Sequence, residues 1–230
     1  MLILALETST ETGSCALLTA VGVVERRCPP GVPHSETLLP LVRALLDEQG
    51  VSFSALDAIA FGCGPGAFTG LRVACASAQG LAVVHDTPLI PVVSLESQAL
   101  ATGASQVFSL LDARMGEVYC ARYRREAPDV YVLEGEIQVL PPGVIPWPEE
   151  PGWVVCGNAL KAYPVLAEQA AARALPAYPD VLPLAGDLAR IAARQWARGQ
   201  VIDAAEAAPL YVRDKVAKTV AERLSEGGRA

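Results

Sequence analysis

The feature of this sequence that most restricts its fold is an opening that occurs twice. Residues 2–6 (LILAL) form a short apolar run with the length and character of a buried strand, ending at Glu7 and a polar turn. Ser14–Leu18 (SCALL) and Gly22–Glu25 then read as two further strands. Residues 108–111 (FSLL) repeat the opening: Asp112 follows, then the turn ARMG and the alternating strand EVYCARY. Each half starts with a buried strand, an acidic residue at its end and a hairpin. The repetition is one of pattern, not of residue identity.

Helices are expected between and after these openings. The first follows Pro33-His34-Ser35 and carries Leu38, Val42, Leu45 and Leu46 at helical spacing, ending near Gly50. Ser35 is its expected N-cap, with Pro40 close enough to the first turn to be tolerated. A strand at 56–61 and helices at 70–84 and 95–101 complete the first half. The second half continues through the loop PPGVIPWPEEPGW to a strand at 153–156, Gly157-Asn158, and alanine-rich helices at 160–174 and 186–198. Strands mixed with helices in two similar halves predict an α/β protein of two lobes. The expected division is 1–103 and 104–230, with a tail from about residue 209 able to pack back on the first lobe.

Composition narrows the function. The 230 residues are 52% apolar and 19% charged, which suits a globular chain with a substantial core. The start MLILALETSTET has no basic segment, so a secretory signal is not expected, and no run approaches the ~20 apolar residues of a membrane span. A cytoplasmic protein is expected. The six cysteines (15, 28, 63, 75, 120 and 156) form no C-x-x-C pair and sit mostly in apolar runs, as reduced core thiols do. Eighteen Lys and Arg stand against 25 Asp and Glu, a net charge of −7 without a basic cluster. Nucleic-acid binding rests on neutralising phosphates, so any such role is expected to be indirect, through a basic partner.

The stretch 61–84, FGCGPGAFTGLRVACASAQGLAVV, poses the main functional question. Gly62, Gly64 and Ala67 match the G-x-G-x-x-G/A dinucleotide pattern, with Asp86 at a suitable distance. That pattern belongs to a first βα unit, whereas this loop follows a later strand, Pro65 interrupts it, and no clear strand precedes Asp86. No Lys-Ser/Thr follows the last glycine, so it is no phosphate-binding P-loop. The helix that follows is apolar almost all round, which requires burial almost all round. Its small residues recur at four-residue spacing as Gly70, Ala74, Ala78 and as Ala76, Gly80. They permit close helix approach, either to the Leu38–Leu46 helix or to a second subunit.

Catalytic groups are sparse. The two histidines, His34 and His85, lack the spacing of metal ligands, and each reads as structural. Glu7 and Asp112 end the first strand of each half and are the candidates for holding Mg²⁺ with a nucleotide across an interlobe cleft. The turns after them, TSTET and ARMG, are poor in glycine, which argues against nucleotide hydrolysis.

The segments LALETSTETGSCAL, HSETLLPLVRALL, GCGPGAFTGLRVACASAQGLA, SLLDARMGEVYCARY and AAPLYVRDKVAK, in this order, resemble the bacterial TsaB (YeaZ) family. The resemblance covers nearly the whole chain and is weakest across 126–205. It implies a duplicated actin-like (ASKHA, ribonuclease-H-like) fold and work on tRNA, forming N6-threonylcarbamoyladenosine beside the anticodon. It also implies a noncatalytic subunit that pairs with a TsaD-type catalytic subunit carrying the metal-binding histidines, is joined by a TsaE-type P-loop ATPase, or forms a homodimer when alone. Contact with tRNA is then indirect, no cofactor is bound by this chain itself, and ATP or ADP is allowed at the complex interface. The implied pairing surface is a bundle of the helices at about 36–48 and 70–84, with Leu38, Val42, Leu45, Leu71, Ala74, Cys75, Ala76, Ala78 and Gln79. Many relatives carry Asp where this chain has Glu7, which weakens any inherited Mg²⁺–nucleotide geometry. The competing expectations are an actin-like ATPase or kinase using Glu7 and Asp112, and a glycoprotease-like peptidase that would need His34.

Overall fold

The computed structural model describes residues 1–212. The alternation of apolar runs becomes two five-stranded sheets. The first contains β1 (Ile3–Glu7), β2 (Ser14–Thr19), β3 (Gly22–Arg27), β4 (Ala58–Gly64) and β5 (Leu89–Val93) in the order β3-β2-β1-β4-β5. Here β2 runs antiparallel to β1 and β3, while β4 is parallel to β1 and to β5. The second contains β6 (Gln106–Arg114), β7 (Glu117–Ala127), β8 (Val130–Leu140), β9 (Trp153–Cys156) and β10 (Ala177–Tyr178) in the order β8-β7-β6-β9-β10. Strand for strand, the two sheets share order and direction. The repeated opening in the sequence is thus the start of a repeated sheet.

Six α-helices surround the sheets among the described residues: α1 (His34–Gln49), α2 (Phe68–Ala82), α3 (Ser94–Thr102), α4 (Ala159–Ala162), α5 (Pro164–Ala172) and α6 (Ala185–Ala197). None is long and apolar enough to cross a membrane. Side-chain size decides which face each covers. On β1 and β4 the large residues Leu4, Leu6, Ile59 and Phe61 point outward, where they pack with Leu38, Val42, Leu45 and Leu46 of α1 and with Ala74 and Ala78 of α2. The inward face carries Ala5, Ala16, Ala58 and Ala60, and these small residues admit α6, with Leu188, Ala189, Ile191 and Ala192. On the far side of the second sheet, α4 and α5 cover Phe108, Leu110, Val118 and Val155. Burial on both faces explains why the strands read as continuous apolar runs.

The middle layer is exchanged between the halves. Helix α3 follows β5 yet packs on the second sheet, and α6 follows β10 yet packs on the first. The first N–H groups of α6 have no partner in their own helix, and side chains of the first sheet supply them. Ala185 N donates to Ser14 Oγ at 2.9 Å and Gly186 N to Glu25 Oε2 at 2.7 Å, which also sets a carboxylate at a positive helix end. Arg194 and Glu96 join the two crossing helices at 2.8 Å. The chain therefore returns to the first lobe at Ala185, earlier than the tail expected from residue 209. Ile202 then bridges Leu89 beside β5, and Leu210 N donates to Cys63 O at 2.7 Å. The tail beyond Val212 lies outside the described residues.

Several expected boundaries move for local reasons. Helix α1 begins at His34 after Pro33 and has no side-chain cap, so Ser35 lies inside its first turn, and Pro40 sits within the helix on its exposed side. The strand expected at 56–61 is β4, which extends through the glycines to Gly64. The helix expected at 160–174 is two helices, because Pro164 forces Tyr163 into an extended conformation.

All six cysteine thiols are unbridged and buried. Burial pushes Cys15, Cys63 and Cys156 up to about 12 and Cys120 to about 11. Because the thiolate is the reactive form, the native protein is expected to resist a thiol reagent at pH 8 for minutes, with six equivalents reacting once it is denatured. Rapid native labelling of two or more thiols would contradict this packing.

Candidate functional site

The site is built where the turn after β1 meets the loop between β4 and α2. Glycines make the contact possible, and the crowding is with residues 7–9 of this chain, side chain at Glu7 and backbone at Thr8. A Cβ at Gly62 would lie 2.2 Å from Glu7 Oε2, at Gly66 2.5 Å from Ser9, and at Gly70 1.9 Å from the Thr8 carbonyl oxygen. Hydrogen bonds close the same seam: Ala67 N donates to Ser9 O at 2.7 Å, and Thr8 Oγ1 donates to Gly70 O at 2.7 Å. A phosphate loop presents its backbone N–H groups to a ligand. Here Ala67 N is taken by Ser9 O and Gly62, Gly66 and Gly70 abut residues 7–9, so these glycines serve close packing, while Gly66, Ala67 and Phe68 line the interlobe pocket.

Glu7 lies beneath this seam, fully buried. Its Oε1 accepts from Ser9 N at 2.6 Å and its Oε2 from Ser94 Oγ at 2.8 Å. Burial outweighs these hydrogen bonds and raises its pKa above the ordinary 4.5. A raised folded-state value favours the folded state below the unfolded pKa, and that advantage is lost as pH rises through the folded value. Glu7→Gln keeps an acceptor for Ser9 N and gives Ser94 a donor. It is expected to raise stability at pH 7 by about 1 kcal/mol, a gain that shrinks as the pH falls toward 4.5 in parallel urea titrations. A pH-independent difference would show that the carboxyl is not strained by burial.

Asp112 lies near the end of β6, at the interlobe cleft. Its Oδ1 accepts from Arg114 N at 2.8 Å and from the Tyr163 hydroxyl at 2.9 Å, and Arg114 Nη1 lies 3.1 Å from Oδ2. Burial and then the adjacent Asp112 raise the Tyr163 phenol pKa. Asn158, after β9, ties the halves together: its Oδ1 accepts from Asp112 N at 2.9 Å while its Nδ2 donates to Glu11 Oε2 at 3.2 Å. The cleft holds a pocket of about 210 Å³ lined by Ser9, Glu11, Leu71, Leu111, Asp112 and Asn158, among others. Phe68, with Arg72 stacked 3.8 Å from its ring centre, and Tyr211 stand at the same pocket. The expectation that Glu7 and Asp112 face each other across this cleft is corrected. Asp112 lines it, whereas Glu7 is sealed beneath the glycine loop, because β1 is the central strand and the loop closes over its end.

Neither histidine joins this cluster. His34 Nε2 donates to Thr10 O at 3.0 Å, and its ring fills the space beside Gly13, so that it clasps the start of α1 to the β1–β2 turn. His85 is exposed beyond the end of α2, with its backbone N–H bonded to Ala82 O at 3.2 Å. Among the described residues, no group of three or more His, Cys, Asp and Glu is placed to hold a metal ion.

The helical residues tied by resemblance to a partner surface divide sharply. Leu38, Val42, Leu45, Ala74, Cys75 and Ala78 are each at most 5% exposed and packed under this chain's own sheet, while Leu71, 2% exposed, lines the interlobe pocket. The apolar spacing of the first six is the core-facing stripe of α1 and α2. Ala76 is exposed, while Gln79 is half-buried, its Nε2 donating to Ala204 O at 2.8 Å. Of the two small-residue stripes in α2, Gly70–Ala74–Ala78 is internal and Ala76–Gly80 reaches solvent. Leu39 of α1 is 45% exposed, and Val83 and Val84, just past the end of α2, are 67% and 71% exposed.

A sheet of this order with its second strand reversed, present twice, with an exchanged layer of helices between the copies, defines a duplicated actin-like protein of ribonuclease-H-like topology. Comparison with known proteins gives the family. Residues 31–152 match the family described as "TsaD: tRNA N6-adenosine threonylcarbamoyltransferase". The tRNA threonylcarbamoyladenosine biosynthesis protein TsaB of Escherichia coli (strain K12) is 35% identical, covering 94% of this chain and 96% of that protein. The Haemophilus influenzae protein of the same name is 41% identical over 54% of each. The solved structure of YeaZ from Pseudomonas aeruginosa superposes with a TM-score of 0.80 at 38% identity, covering 91% of this chain and 99% of that one. The chain belongs to the TsaB (YeaZ) family, within the wider group that the TsaD description covers.

Proposed function

We propose that this chain is a noncatalytic subunit in the formation of N6-threonylcarbamoyladenosine on tRNA in the cytoplasm, acting by pairing with a TsaD-type catalytic subunit. The observation that carries the reading is the sealed glycine seam. Of the two carboxylates an actin-like ATPase would use, Glu7 is shut beneath the glycine loop, which leaves Asp112 alone of that pair at the pocket. The named activity of the matched relatives supports the pathway, and the acidic net charge of −7 supports indirect contact with tRNA. A TsaE-type ATPase completes the proposed assembly, with any ATP or ADP held where subunits meet, and the same surface joins two copies when the partner is absent.

The proposed pairing face is the outer side of α1 and α2 with the turn after α2, made of Leu39, Ala76, Gly80, Val83 and Val84. The experiment mixes unmodified tRNA, threonylcarbamoyl-adenylate, ATP and the TsaD-type and TsaE-type proteins, with and without this chain, and quantifies the modified nucleoside by mass spectrometry. Product is expected only when this chain and the TsaD-type protein are both present. Equal product without this chain would overturn the reading. ATP turnover by the isolated chain that disappears in Asp112→Asn would favour an actin-like ATPase or kinase instead.

A further inference from the structure

We draw no further inference here: the strongest candidate, the interlobe pocket lined by Leu71, Leu111, Asn158 and Leu210, belongs to the site already described, and nothing in the structure shows what occupies it.

Discussion

Gly70→Ala is expected to destabilise the protein by about 3 kcal/mol or more. The new methyl carbon would sit 1.9 Å from the Thr8 carbonyl oxygen and 3.0 Å from its carbon, and both are backbone atoms held by the sheet. No side-chain rotation relieves such a clash, so either α2 lifts or the turn after β1 retreats. Overpacking of this kind costs about 1–3 kcal/mol when the surroundings can yield. Lifting α2 also breaks the Thr8 Oγ1–Gly70 O bond, for about 1 kcal/mol more. For a chain of this size that corresponds to a melting temperature lower by roughly 6–12 °C. Gly80→Ala is the internal control, on the same helix with open space around its Cβ. It removes only the helical cost of glycine and is expected to be neutral or stabilising by up to about 1 kcal/mol. Urea unfolding of the two variants beside the parent decides the matter. Equal effects from both would mean that the glycine seam is not the tight contact described.

Ala76→Arg is expected to weaken pairing with a TsaD-type subunit at least 100-fold while leaving folding stability within about 0.5 kcal/mol of the parent. The methyl of Ala76 is exposed on the isolated chain, so a long cation there projects into water at little cost. At a helical interface the same cation would be forced between apolar surfaces without a partner charge, a penalty large enough to abolish docking. Leu45→Ala provides the contrast, because Leu45 is fully buried among Leu4, Leu6 and Phe61. It should cost about 2–5 kcal/mol in folding and leave pairing of the remaining folded protein nearly intact. Calorimetric titration with the partner, run alongside urea unfolding, separates the two. Full-strength binding by Ala76→Arg would remove α2 from the pairing surface.

Residue spacing does not say which face of α2 is free for a partner. Periodicity reports that a helical face is covered, and an own-chain sheet or a foreign helix covers it equally well. Both faces of α2 read as small and apolar. Only the position of β4 beneath Ala74 and Ala78 leaves Ala76 and Gly80 outward. Glu7 was misread for a related reason. A carboxylate at a strand end is available to a ligand or walled in according to which loop closes over it. That loop comes from residues 62–70, more than 50 positions away.

The resemblance of the segments around residues 1–16, 61–81 and 109–123 placed the chain in its family before any coordinates, and the repeated strand–acid–hairpin opening foretold two equivalent sheets. The buried state of the thiols was also legible, because cysteines inside apolar runs share the burial of their neighbours. By itself, then, the sequence determined most of the strands, though not β5, β8 or β10, the burial of the apolar runs, and that the pattern occurs twice. These are properties of neighbouring residues, governed by local periodicity. The tertiary structure alone decided that α3 and α6 exchange places between the halves, that Ser14 and Glu25 cap a helix 160 or more residues later, and that the glycine loop is filled by residues 7–9. Each depends on which distant surfaces meet, and burial leaves that choice open until close packing of small residues against a particular helix or turn selects it.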